Sequence, residues 1–169
     1  MEQPVPSASG ARREVVVTAT TAALWALVTD VERFGEWSPE TYRVEWRSPP
    51  PHEVGSIFRG YNRNLSGTMS WWSDCEVLAQ DRERAFSFRV RRVDFGDGNV
   101  VDLGDMSTTW RYHLDPSTGD DRAVSVALSF DCPALADSES LYSKAGRFAD
   151  LESGCEQTLR RLKETAERI

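Results

Sequence analysis

Apolar residues recur at steps of three and four through the last thirty or so residues, which is the period of one helix face. The opposite face carries charged residues, among them Arg147 and Asp150. We therefore predict one long helix; at roughly 28 residues it would be about 42 Å long. Its apolar face consists of Leu141, Ala145, Phe148, Leu151, Cys155, Leu159, Leu162, Ala166 and Ile169.

The middle of this apolar face is narrow. Gly154 and Cys155 are small, whereas Phe148 and Leu151 on one side and Leu159 on the other are large. A glycine in mid-helix costs about 1 kcal/mol relative to alanine, so its presence calls for a compensating reason. The pattern predicts an open space under the centre of the helix.

Alternation with period two predicts β-strands for most of the remaining chain. Two short helices, at 22–31 and 30–37, follow the first strand. The fold class is α+β, with a curved antiparallel sheet of about seven strands wrapped around the last helix. Residues 1–12 are predicted to be a disordered tail and residues 13–169 a single domain. The predicted strands are 14–20, 41–47, 56–64, 70–80, 84–93, 107–115 and 122–130.

The same alternation predicts which side chains face the space under the helix. Most are aromatic or apolar, and any one of them could equally be ordinary core. A few polar groups in such a pocket orient a ligand. Tyr112 is the preferred polar group, since a phenol can donate to a ligand carbonyl or act as a general acid; a buried tyrosine bonded to backbone is the commoner case. The predicted ligand-binding residues are Trp46, Phe58, Asn62, Trp71, Ser73, Cys75, Phe88, Trp110, Tyr112, Phe148, Leu151, Gly154 and Cys155.

The strand at 70–80 could also present its other face to the cavity. A shift of one residue would replace Ser73 and Cys75 by Asp74 and Glu76 and bring two carboxylates inside. The sequence leaves both registers open. The alternation places no arginine in the cavity and directs outward Arg59, Arg63, Arg89, Arg91 and Arg111.

The formal net charge of -7 argues against nucleic acid or an anionic membrane surface as a partner. No apolar run reaches the roughly 18 residues that a membrane-spanning helix needs, and the first residues lack the apolar core of a secretion signal, so a cytosolic location is expected. Cys75, Cys132 and Cys155 have no CxxC spacing, and we expect free thiols, no metal site and no cofactor.

Six segments, in this order, resemble the polyketide cyclase/dehydrase group of the START and Bet v 1-like (SRPBCC) helix-grip superfamily. They are ATTAALWALVTD at 19–30, Phe34 with WSP at 37–39, VGSIFRGYNR at 54–63, CEV at 75–77, TWRY at 109–112 and QTLRRLK at 157–163. The resemblance runs from about Val15 to Ile169. It implies a seven-stranded antiparallel sheet gripping the last helix, and a deep cavity for hydrophobic or aromatic small molecules.

The resemblance does not fix one function, because the superfamily includes lipid carriers, ligand receptors and aromatase/cyclases. We favour a protein that binds a hydrophobic or aromatic small molecule without altering it. The alternative is a polyketide cyclase/aromatase or dehydratase acting on a chain delivered by an acyl carrier protein. A protein-interaction module with a collapsed cavity is a third hypothesis. Ionisable groups inside the cavity would distinguish the first two, since a cyclase needs a base and oxyanion donors.

Overall fold

The computed structural model of the protein describes residues 9–137 and 139–168. The strands are β1 (Gly10–Thr18), β2 (Thr41–Trp46), β3 (Ile57–Arg63), β4 (Ser70–Asp81), β5 (Ala85–Asp94), β6 (Val101–Asp102), β7 (Thr109–Asp115) and β8 (Ala123–Asp131). The α-helices are α1 (Thr21–Val28), α2 (Leu141–Lys144) and α3 (Arg147–Glu167), and short 3₁₀ helices span Val31–Glu36, Gly104–Met106 and Pro133–Ala136.

The strands form one antiparallel sheet in the order β1-β8-β7-β5-β4-β3-β2, with the two-residue strand β6 paired to β5. The sheet curls into a half-barrel against α3, which confirms the predicted fold class. Strand β1 begins at Gly10, opposite Asp131 of β8. Residues 10–12 were predicted to belong to the disordered tail; they instead extend the edge strand. The first eight residues lie outside the described part.

The single C-terminal helix predicted from periodicity is wrong at its start. Gly146 has a left-handed conformation, with φ of 72°, and separates the one-turn helix α2 from the 21-residue helix α3. Only glycine adopts this conformation without steric cost, so the chain changes direction there. Leu141, predicted to lie on the apolar face, is 84% exposed, and Ala145 is exposed too. Ile169 lies outside the described residues.

Helix α3 supplies a large part of the core. It packs against β1, β8 and α1. The apolar face is continuous from the second turn onward and buries Leu151, Cys155, Leu159, Leu162 and Ala166. The predicted helix after β1 also forms: Thr20 caps α1 by accepting a hydrogen bond from the Ala23 amide, at 3.1 Å. These elements leave one region between α3 and the sheet unfilled.

Candidate functional site

A cavity of about 530 Å³ lies between the sheet and α3. This volume is within the range of small-molecule sites in proteins, about 300 to 1,000 Å³. Gly154 contributes to the space: a Cβ placed on it would meet only Pro39 Cγ, at 3.9 Å. Among the described residues, those that line the cavity and were predicted to bind a ligand are Phe58, Asn62, Trp71, Ser73, Cys75, Phe88, Trp110, Tyr112, Leu151 and Gly154.

Three predicted residues do not border the cavity. Trp46 stacks on His52, with ring centroids 3.8 Å apart, and so lies behind the wall. Phe148 packs edge-on against Phe130, at 5.8 Å. Cys155 is fully buried in the contact between α3 and its neighbours. All three pack against their neighbours and are absent from the lining of the cavity.

One wall of the cavity is a cluster of phenylalanine rings. Phe58 and Phe88 meet edge-to-face, with centroids 5.1 Å apart. Phe34, from the 3₁₀ helix Val31–Glu36, packs on both, at 6.0 and 5.8 Å. Phe34 was not among the predicted site residues, because a 3₁₀ helix of six residues is too short for periodicity to show which of its faces is buried. The rings form a rigid apolar surface suited to a planar ligand.

Asn62 belongs to a hydrogen-bond network of neutral side chains. Its Oδ1 accepts from Thr41 Oγ1 at 2.7 Å, and its Nδ2 donates to Ser73 Oγ at 3.1 Å and to the Gly60 carbonyl at 3.3 Å. Three of the four hydrogen bonds that the amide group can make are therefore used within the protein. We assign Asn62 mainly to holding β2, β3 and β4 together beside the cavity.

Tyr112 lines the cavity from β7 and is only 4% exposed. Burial raises the pKa of its phenol, and a side-chain hydrogen bond from the Trp37 indole N–H to the phenol oxygen acts to lower that pKa. The phenol therefore stays protonated and can donate a hydrogen bond. In the described part of the chain the Tyr112 hydroxyl makes no hydrogen bond to the backbone. The commoner case for a buried tyrosine therefore does not apply to Tyr112.

Trp37 also lines the cavity and was not among the predicted site residues. It is fully buried, and its Nε1–H interacts with the Tyr112 phenol, although not with standard hydrogen-bond geometry. It follows the 3₁₀ helix Val31–Glu36, where neither the α-helical period nor the strand alternation predicts the direction of a side chain. Trp37 belongs to the segment WSP, one of those that carry the family resemblance. That segment supported the fold prediction but did not indicate a role for Trp37.

The cysteines beside the helix are not nucleophiles. Burial raises the pKa of the Cys75 thiol well above its ordinary value, and a neighbouring carboxylate, Asp74, raises it further. Burial likewise raises the pKa of Cys155 to about 12. Since the thiolate is the reactive form, both groups are inert at neutral pH.

The cavity opens to solvent beside Met69, Phe95 and Leu141, which line it and are exposed. We call this opening the mouth. Trp71 lies next to it, with its ring 6.2 Å from that of Phe95. The guanidinium of Arg147 lies 5.4 Å from the Trp71 ring centroid.

Arg147 forms a two-pronged ion pair with Glu40 beside the mouth. Its second terminal nitrogen donates to Glu40 Oε2 at 2.8 Å, and the first to Oε1. Both side chains are largely buried, 19% and 14% exposed, and both line the cavity. The expectation that no arginine lies in the cavity and that Arg147 faces solvent is wrong. The break at Gly146 places Arg147 in the first turn of α3, facing the start of β2.

Strand β4 directs Ser73 and Cys75 to the cavity, and the alternative register does not occur. Asp74 lies on the other face of the sheet, where Arg59 Nε donates to it at 2.8 Å and Arg92 at 3.1 Å. These ion pairs explain how Asp74 can be almost fully buried and still lie outside the cavity. Glu76 pairs with Arg91 on the same outer face.

A family model described as polyketide cyclase / dehydrase and lipid transport matches residues 10–167. The chain belongs to this family. Among proteins with curated descriptions, none matches it in sequence. Within the described residues, no helix of this family member combines the length and the apolar character needed to cross a membrane.

Solved structures share the fold at low identity. A START superfamily protein from Mycobacterium smegmatis has a TM-score of 0.69 at 13% identity, covering 94% of this chain and 97% of the other. The Zhui aromatase/cyclase from Streptomyces sp. R1128 has a TM-score of 0.61 at 16% identity, covering 94% and 93%. A Polyketide_cyc-like protein from Corynebacterium glutamicum has a TM-score of 0.59 at 22% identity, covering 96% and 94%. These likenesses concern the fold alone.

Proposed function

We propose that this protein binds a hydrophobic or aromatic small molecule in the cavity between the sheet and α3. The observation that carries the proposal is the cavity itself, about 530 Å³ with a wall of phenylalanine and tryptophan rings and few polar groups. A space of this size and lining is the usual form of a site for an apolar ligand. The family description, which includes lipid transport, is consistent with such a ligand.

The alternative is a cyclase or dehydratase that acts on a chain attached to an acyl carrier protein. The family description and the fold shared with an aromatase/cyclase are compatible with it. It has less support from the side chains, because two carboxylates among the described residues line the cavity. Glu40 is engaged by Arg147, which leaves as the candidate base Asp150, a residue that the helical period had placed on the face opposite the apolar one. The thiols of Cys75 and Cys155 are held neutral, and a carbon acid would need a positioned base.

The test of binding is a titration of the full chain with fluorene, followed by tryptophan fluorescence, since Trp71 and Trp110 line the cavity. We expect saturable binding in the micromolar range. Gly154→Leu places a side chain in the cavity and should weaken binding at least tenfold. Ala149→Leu adds the same side chain at an exposed position of α3 and is the matched control. It should bind like the wild type.

Absence of saturable binding, or equal binding by Gly154→Leu, would contradict the proposal. The enzymatic alternative is tested by incubating the protein with a poly-β-ketone thioester of an acyl carrier protein and following products by mass spectrometry. Cyclisation faster than in the protein-free control would favour the enzyme. Native mass spectrometry of protein from its own host would show any ligand that is retained.

A further inference from the structure

The charged groups that line the cavity do not balance. Among the described residues they are Arg147, Glu40 and Asp150, and this part of the lining contains no lysine or histidine. Both carboxylate oxygens of Glu40 accept from Arg147, so these two charges are matched with each other. One negative charge is therefore left in the described lining, and it belongs to Asp150.

Asp150 lies on the face of α3 that borders the cavity. It is half-buried, and its carboxylate makes no ion pair or hydrogen bond with any residue in the described ranges. Its acceptor oxygens are therefore available to a molecule in the cavity. The residues of α3 that line the cavity recur at steps of three and four, as one helix face does. They are Arg147, Asp150, Leu151, Gly154 and Thr158.

The position of Asp150 along α3 suits the end of a ligand. It lies about one helical turn after Arg147, which is beside the mouth, and about one turn before Gly154, which borders open space. A ligand whose apolar body fills the space next to Gly154 can therefore bring a terminal group to the carboxylate. Because the surroundings are largely apolar, the attraction between this carboxylate and a cation is stronger than it would be in water.

We infer that the cavity selects a ligand that carries an ammonium group, with its aromatic or apolar body against the phenylalanine wall and the ammonium paired with Asp150. This inference rests on the proposed binding function and adds the charge class of the ligand. A neutral ligand would remove water from the carboxylate without replacing its hydrogen bonds. An anion would be repelled by it, and the arginine in the described lining is engaged by Glu40.

Asp150 also contributes to the stability of α3. It is the acidic residue in the first turn of the helix, where a negative charge interacts favourably with the helix dipole. Asp150→Asn should therefore lower the melting temperature slightly whether or not the residue binds a ligand. The readout that separates binding from this structural role is the preference of the protein among ligands of different charge.

The experiment uses three ligands with the same naphthalene body: 2-naphthylmethylammonium, 2-naphthalenemethanol and 2-naphthoate. Isothermal titration calorimetry of the full chain at neutral pH gives a dissociation constant for each. Wild type should bind the ammonium about tenfold more tightly than the alcohol, which is the effect of one hydrogen bond to a charged group, and the carboxylate most weakly. In Asp150→Asn the ammonium and the alcohol should bind with similar affinity, while the affinity for the alcohol stays near that of wild type.

Glu164→Gln is the matched control. Glu164 is an exposed carboxylate of the same helix, it is not in the cavity lining, and it has no ion pair in the described part of the chain. The substitution removes the same charge from the protein, so the preference for the ammonium should persist. If it falls as much as in Asp150→Asn, the effect comes from the overall charge and the inference is wrong.

Asp150→Lys provides a second variant with the opposite charge at the same place, and it should bind 2-naphthoate more tightly than the ammonium. An unchanged preference in Asp150→Asn, or wild type that binds the carboxylate as tightly as the ammonium, would overturn the inference. If the alcohol still binds saturably in that case, the proposed function stands. If none of the three ligands binds, both fail.

Discussion

Gly154 offers a direct test of the space under α3. It lies in mid-helix, where replacement of glycine by alanine is worth about 1 kcal/mol of helix stability. The added Cβ would meet Pro39 Cγ at 3.9 Å, which is an ordinary van der Waals contact, so packing does not oppose the gain. We expect Gly154→Ala to raise the free energy of unfolding by about 1 kcal/mol. For a chain of this size the melting temperature should rise by about 2 to 4 °C.

Gly154→Leu extends the test into the cavity. Helix propensity again improves, and the added apolar atoms enter the 530 Å³ space instead of a packed interface. The gain from burial is partly offset by the side-chain entropy lost on ordering leucine, about 0.5 to 1 kcal/mol. We therefore expect stability that is unchanged or higher by up to about 1 kcal/mol, with much weaker ligand binding.

Gly146→Ala is the control, because it replaces a nearby glycine but should change the free energy of unfolding in the opposite direction. A Cβ there would meet nothing within 4 Å, so space is not limiting, but the residue has φ of 72°. Alanine in this left-handed conformation costs about 1 to 2 kcal/mol, and stability should fall accordingly. Thermal and urea unfolding of the ligand-free proteins measure all three variants. A Gly154→Leu protein destabilised by about 1 to 3 kcal/mol would indicate overpacking and refute the open space at this position.

Three further outcomes are expected. Glu40→Gln should lower the unfolding free energy by about 1 to 3 kcal/mol, because it removes the negative charge from a largely buried ion pair, whereas Glu36→Gln breaks an exposed pair and should change it by less than about 1 kcal/mol; equal losses in urea unfolding would contradict this. Burial raises the pKa of Cys155 from its ordinary value near 9 to about 12, so the folded state keeps a proton that the unfolded chain releases, and stability falls as pH rises through this window by up to about 1.4 kcal/mol per pH unit. Cys155→Ala should be less sensitive to pH than wild type between pH 9 and 11, and an unchanged slope would oppose the explanation. Leu159→Ala should cost about 2 to 5 kcal/mol, and Leu141→Ala, at an exposed position, less than about 0.5 kcal/mol; similar melting temperatures would contradict the break in the helix.

The fold could be predicted to the level of its sheet and most of its last helix. Period two placed Phe58 and Asn62 of β3 and Tyr112 of β7 on the inner face, because one face of each strand is buried and a shift of register would expose it. The break before α3 was missed because apolar steps of three and four continue across it. Lys144 followed by Gly146 is a common ending for a helix and was the available signal.

The polar part of the site could not be predicted in the same way. Trp37 lies after a 3₁₀ helix, where no regular period reports which way a side chain points. Glu40 and Arg147 are 107 residues apart and meet only because α3 begins beside the start of β2. Neither residue has a sequence neighbour that would identify its partner. Such pairs depend on tertiary placement, which local periodicity does not contain.

The contrast between Gly154 and Cys155 shows why even the apolar face was only partly resolved. Consecutive helical residues lie 100° apart around the axis, which is about the width of an apolar stripe. Both residues belong to the stripe, yet Gly154 borders the cavity and Cys155 is sealed in the core. Burial alone selects apolar or small residues at both positions, so the sequence has the same character whether a position borders a packed neighbour or a space. What separates the two is the volume contributed by residues from other elements, such as Pro39, and for this reason substitution at Gly154 tests the cavity more directly than any pattern in the sequence.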